Sequence, residues 1–435
     1  MNLSGIFSRF KSWSQITTFL VLAGFPFITS GQNSLEVFLD SALVHNPDAV
    51  SIHTQIQSFQ FDDRMVAAIL RSPKAFVSSE VLVTPYLNND GKLIDIAPSS
   101  KAIGYDINIS NGGLYSLLFN LQLPLLKGKQ VLHLQEQNKV QVEKLQTQLK
   151  LIENELRHTI GSLYFDALLQ QTIVENNFKN NALLNEEFQL IKSLTSKGLY
   201  RLSDYKLMEL ALKSDSINLR TSMSDLELAI RQLKAACGIR NPEITKLTSP
   251  LLVTTEPVKT PSLFIRSFSQ DSLATLAQQQ VFDDQYRPQL NAYANSGLNS
   301  TSIPMMERHV GASAGIQLSY TLFDGHQKKI NHEQQLLRIG EAQSLKELKI
   351  REVKTRADAF MQNIEKTKAE LEKQKEIQAE YKDLLTMYQD EVQRAQISVI
   401  DLVAFLQKYS SVNLDISIKE ITLKRLINEY NYWNK

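Results

Sequence analysis

The run KQVLHLQEQNKVQVEKLQTQLKLIENELRHTIGSLYFDALLQQTIVENNFKNNALLNEEFQLIKSLTSK, Lys129 to Lys197, has no proline and one glycine, Gly161. Val142, Leu145, Leu149, Ile152, Leu156, Ile160 and Leu163 recur at gaps of three and four. That spacing predicts one unbroken helix with a narrow apolar stripe. A second run, His326 to Arg394, again lacks proline and holds only Gly340. Its Leu345, Leu348, Val353, Ala357, Phe360 and Ile364 carry part of a similar stripe. Each run rises roughly 105 Å as a helix. No globular core accommodates such a rod, so the helices must pack side by side as coiled coils.

The two runs read as copies. Gly128 precedes the first and Gly325 the second, 197 positions apart, each at a strand-to-helix junction. At the far ends, Gly198-Leu199-Tyr200-Arg201-Leu202-Ser203-Asp204 faces Ala395-Gln396-Ile397-Ser398-Val399-Ile400-Asp401, offset by the same 197. One length between matching punctuation indicates an internal duplication. Beyond each turn a shorter helix returns, about 203–236 and 399–430, covering half of the rod. Helices near 48–70 and 267–286 are the candidates for the other half. The chain thus divides into a signal peptide (1–31), a first structural repeat (32–240), a linker (241–262) and a second repeat (263–435). The linker reading rests on Pro242, Pro250, Pro257 and Pro261.

Ahead of each rod the pattern switches to period two. From 312 to 323, Ala312, Ala314, Ile316, Leu318, Tyr320 and Leu322 alternate with a mostly polar set. From 115 to 123, Leu117, Phe119, Leu121 and Leu123 alternate with Leu118, Asn120 and Gln122. Upstream partners lie at 74–85 and 288–298. Strands of about ten residues with one apolar and one polar face suit a membrane barrel. A soluble half-buried sheet has the same local pattern; the secretory start and the attached rods favour the membrane.

That start is Arg9 and Lys11 followed by a largely apolar stretch from Ile16 to Ile28, then Ser30 and Gly31. Thirteen helical residues rise about 20 Å, too short to span a bilayer. The net charge of +1 implies no basic face, so nucleic acid is excluded as an expected partner. One cysteine, Cys237, excludes a disulfide framework and reads as a small apolar residue.

Four strands cannot close a barrel, and an open edge is not viable in lipid. Eight would give an interior filled by side chains. A water-filled bore therefore needs three or more copies, pooling strands into a barrel and helices into a hollow cylinder.

With Ala42-Leu43-Val44-His45-Asn46-Pro47, Leu322-Phe323-Asp324-Gly325 and the duplicated turns in order, the chain resembles the outer-membrane efflux protein (TolC) family from about Ser34 to Trp433. The resemblance implies a mainly α fold with membrane β: a duplicated long-helix α-barrel, with four strands per subunit in a shared twelve-stranded outer-membrane β-barrel. It implies a homotrimer in a Gram-negative outer membrane with a long periplasmic extension. That trimer docks an inner-membrane transporter through a periplasmic adaptor and exports drugs, toxins or proteins. It places Asp401 at the periplasmic aperture and Asp204 in the latch. Departures are Ala404 for a second Asp, Ile397 for an Arg and Val392 for a latching Tyr, with Tyr388 a turn earlier. They raise an apolar constriction by Ile397, Val399 and Ile400 as the alternative gate. The turn residues Gly198, Leu199, Tyr200, Ala395, Gln396 and Ile397 are candidates for adaptor docking.

No phosphate loop, serine elbow, triad or zinc spacing appears, so neither an enzyme nor a cofactor is expected. The acid pairs Asp62-Asp63, Glu186-Glu187 and Asp283-Asp284, and the charge-alternating run 365–382, read as solvated helix faces. A periplasmic adaptor or structural coiled-coil protein is the rival reading; adaptors usually carry one hairpin, whereas here each of two repeats has its own strand pair.

Overall fold

The computed structural model describes residues 34–93, 95, 99–103, 113–240, 246–256, 262–301 and 303–435. The signal-peptide reading lies outside them. The elements in chain order are α1 (Leu35–His45), α2 (Pro47–Arg71), β1 (Lys74–Val83), β2 (Gly113–Pro124), α3 (Gly128–Ser196), α4 (Leu202–Ala236), α5 (Leu263–Asp283), β3 (Gln289–Ser300), β4 (Val310–Ser319), α6 (Gln327–Gln393) and α7 (Val399–Trp433). The fold is mainly helical with four strands. No described helix is long and apolar enough to cross a membrane.

The 69 residues of α3 form the spine, about 100 Å long. Along one flank lie α2 and α4, and along the other α5 and α7; α6 packs on α5 and α7 from outside. Each rod thus has two shorter helices end to end beside it. This leaves α2 and α4 at one border and α6 at the other. Both borders expose apolar side chains, among them Phe61, Met65 and Leu210 on the first and Leu337, Leu348 and Met387 on the second.

One element escaped the periodicity. Leu35, Phe38, Leu39 and Ala42 make α1 a separate helix, buried against Tyr164, Phe165 and Leu168 of α3. Asn46 ends it by capping α2, accepting from the Ala49 amide at 2.9 Å, with Pro47 in the first helical position. Midway along α3, Gly161 admits α7. A Cβ there would come within 2.8 Å of the Asn428 amide, which donates to the His158 carbonyl.

The segment between the repeats is strapped down. Within 246–256, Leu247 is buried and exchanges two hydrogen bonds with the Gln171 amide (2.6 and 3.1 Å). Tyr164 donates to the Thr248 carbonyl, and Asn431 of α7 donates to Val253. Cys237 is buried in the adjoining core, and burial pushes its thiol up to about 11.

The sheet is antiparallel in chain order, β1-β2-β3-β4. Its β1–β2 and β3–β4 connections lie at one end, and the helices at the other. The alternation seen as far as Phe323 outlasts β4, which stops at Ser319. Ser319 pairs with Gln289, and the next partner would be Pro288, which has no N–H for the ladder.

Candidate functional site

Register places like residues on like faces. Val77 faces Phe119, Phe119 faces Ser296, and Ser296 faces Ala312; Leu121, Ala294 and Ala314 form the adjacent row. Val77, Phe119, Ile316 and Leu318 on this face are all more than half exposed. The opposite face carries Lys74, Ser78 and Glu80 on β1, Asn120 and Gln122 on β2, Asn291 and Asn295 on β3, and Ser313 and Gln317 on β4. Cross-strand bonds knit it: Asn120 donates to Ser78 at 2.8 Å and Ser313 to Asn295 at 2.7 Å. The outer edges of β1 and β4 have no strand partner among the described residues.

The sheet passes into the rods differently in the two repeats. Gly128 is simply the first residue of α3. Gly325 (φ +66°) and His326 (φ +68°) are both left-handed, and the Asp324 carboxylate accepts from the amides of His326 and Lys328. Those backbone donors, led by Lys328, hold Asp324 below the usual carboxylate range. The two junction glycines therefore match in position but not in conformation.

At the far end the two turns are conformational twins. Gly198 (φ +79°) closes α3, with the Leu199 amide bonded to the Leu194 carbonyl and the Gly198 amide to Thr195. Ala395 (φ +55°) closes α6 through the same pair, Gln396 to Glu391 and Ala395 to Val392. Both are Schellman motifs. A Cβ in this region costs about 1 kcal/mol, and nothing crowds Gly198. Ala395→Gly is expected to stabilise the chain and Gly198→Ala to destabilise it, each by about 1 kcal/mol. Thermal unfolding of the two variants checks this.

The turns touch. Tyr200 donates to the Ile397 carbonyl at 2.9 Å, joining the repeats. Tyr200 and Ile397 are thereby half-buried in the tip core, while Leu199 and Gln396 remain exposed. Val399 is 1% exposed, packed with Met208, Leu402 and Leu406. It is spent inside the wall and cannot belong to an apolar constriction; Ile400, 64% exposed, can. Both acids cap helices: Asp204 accepts from the Arg201 amide at 3.0 Å, and Asp401 pairs with Ser398, whose hydroxyl lies 2.5 Å from its carboxylate. Asp401 is exposed and Asp204 half-buried. Tyr388 stacks on Phe405 at 4.4 Å between α6 and α7, and Val392 is fully buried.

In two of the acid pairs one member is not solvated. Glu187 is buried on α3, accepting from Gln389 of α6 at 2.9 Å, and its second oxygen has no partner among the described residues. Burial, with a smaller push from Glu186, raises its carboxyl above the usual range despite the Gln389 bond. Asp284 is buried at the sheet-proximal end, held by His133 (2.8 Å) and Arg287 (2.9 Å). Each acid lies on a face that a distant rod covers, which periodicity cannot report. The run 365–382 is mostly exposed, as expected, with Glu370 of α6 reaching Lys419 of α7. Among the described residues there is no cluster of metal ligands.

No family model matches the sequence, and no curated protein does. Solved structures do. The outer membrane protein VceC from Vibrio cholerae aligns at TM-score 0.67 with 13% identity, over 92% of this chain and 95% of that one. The outer-membrane channel OprN gives 0.68 and 14%, over 92% and 89%. The open-state MtrE outer membrane channel of Neisseria gonorrhoeae gives 0.67 and 11%, over 92% and 88%. The amphipathic sheet, the duplicated rods and the paired turns are therefore one known architecture, and this chain has the fold of the TolC-type outer-membrane efflux channels.

Proposed function

We propose that the chain is the outer-membrane channel subunit of a tripartite efflux or type I secretion system in a Gram-negative bacterium. Three copies pool twelve strands into a barrel in outer-membrane lipid and their helical walls into a periplasmic tunnel. The tunnel's tip, with Gly198, Leu199, Tyr200, Ala395, Gln396 and Ile397, meets a periplasmic adaptor and, through it, an inner-membrane transporter. The duct is passive; it is not an enzyme and takes no cofactor. One observation carries the reading: an antiparallel sheet with an exposed apolar face and, among the described residues, both edges unpaired. In lipid each unpaired backbone group costs several kcal/mol. Pairing β4 of one copy with β1 of the next removes both edges at once.

Membrane fractionation tests this against the rival adaptor or coiled-coil reading. The channel belongs in the outer-membrane fraction, released only by detergent; a soluble periplasmic protein would overturn it.

The tip is the gate. Symmetry brings copies of Asp401 together around one axis, where their charges focus on whatever passes. Asp401→Ala is expected to raise single-channel conductance and weaken block by divalent cations. Unchanged conductance and block would remove Asp401 from the gate.

Burial of Glu187 in the packed tip makes closure depend on pH. Burial raises the hold of Glu187 on its proton, and an opening that let water reach the carboxylate would remove that preference. Its contribution to closure is complete below the ordinary glutamate range and is lost as pH rises through the raised value. Channel open probability is expected to climb over that interval. Glu187→Gln, which keeps the bond and removes the charge, should flatten the curve; a curve unchanged by Glu187→Gln would exclude this role.

A further inference from the structure

Where the polar face of the sheet meets the ends of α2 and α3 lies a cavity of about 620 Å³. Its lining includes Lys74 and Lys127, the carboxamides of Gln122, Asn291 and Gln317, and Tyr293. No carboxylate lines it among the described residues. Lys74 rests over the Phe76 ring at 5.3 Å, which orients an ammonium without neutralising it. Lys127 caps α3, whose first turn accepts no side-chain cap, so the positive end of a 69-residue helix adds to its charge. Two lysines, the positive end of α3 and several carboxamide residues thus line one hollow; the C-terminal end of α2 opposes them only with its partial negative charge, and no carboxylate joins it among the described residues.

We propose that this junction binds the oxyanionic groups, phosphate or carboxylate, of cargo crossing from tunnel to barrel. The inference rests on the channel reading and deepens it: the preferred cargo is anionic. Ammonium groups provide charge-assisted bonds, and carboxamides orient a hydroxyl-bearing or oxyanionic group between them. Threefold repetition would set six such cations around the bore at one level. The rest of the polar face has little charge, Glu80 of β1 lying six residues beyond Lys74.

The test uses the detergent-purified full assembly, with inorganic pyrophosphate and citrate as probes. Calorimetric titration should show saturable binding of both. Lys74→Gln with Lys127→Gln should weaken it about tenfold or more. In planar bilayers, reversal potentials in a KCl gradient should shift from the anion side towards the cation side in the same double variant. Each single variant should show part of both changes, so a misfolded double variant would not end the test. Conductance without probe binding, or binding and reversal potential indifferent to the lysines, overturns the site and leaves the channel reading standing. Absence of conductance overturns the channel and the cargo role with it.

Discussion

Phe119→Arg is expected to abolish assembly in the outer membrane. Phe119 sits at the middle of β2 on the apolar face, 53% exposed, between Val77 and Ser296. An arginine on the lipid face near the bilayer centre costs about 2–4 kcal/mol. Three copies in one barrel multiply this to about 6–12 kcal/mol. Asn120→Arg, one residue along, points to the polar face and loses the bonds that the carboxamide donates to Ser78 and to the Leu118 carbonyl. It should insert nearly as wild type, with altered ion selectivity. Quantifying both variants in outer-membrane fractions checks the pair. Equal insertion would mean that the sheet does not face lipid.

Leu402→Ala should open the tip. Leu402 is fully buried where α3, α4, α6 and α7 meet, among Ile191, Met208, Val392 and Leu406. Truncating a buried leucine costs about 2–5 kcal/mol. The loss falls on the one core that ties both turns together, so conductance and antibiotic leakage should rise while the melting temperature drops. Ile400→Ala, at an exposed site, should change stability by less than about 0.5 kcal/mol. If Ile400 narrows the mouth, this variant raises conductance without that drop. A Leu402→Ala channel as tight as wild type would show that the tip core does not hold the gate.

Much of the architecture could be read from the chain because its periods are long and clean. Helix ends fell within one or two residues wherever a turn residue marked them, as at Gly198 and Ala395. The strands and their apolar face followed from period two, with β4 ending early because Pro288 cannot extend the ladder. The tip was less legible. Val399 looked like a mouth residue because it stands in the turn, yet it is the first residue of α7 and points into the wall. Glu187 and Asp284 looked solvated because acids on helices usually are, and the partners that bury them lie 202 and 151 positions away. The contact from Tyr200 to Ile397 spans 197 positions, the repeat length itself, and only the folded wall shows it. Helix α1 was hidden by its brevity, eleven residues before a proline.

On the proposed function, this wall is one third of a closed tube. Light scattering with refractive-index detection, on mature protein extracted in detergent, measures the protein mass of the particle directly. A discrete particle of three chains that dissociates only on unfolding is the expected result. A single folded chain, stable in buffer without detergent, would contradict it.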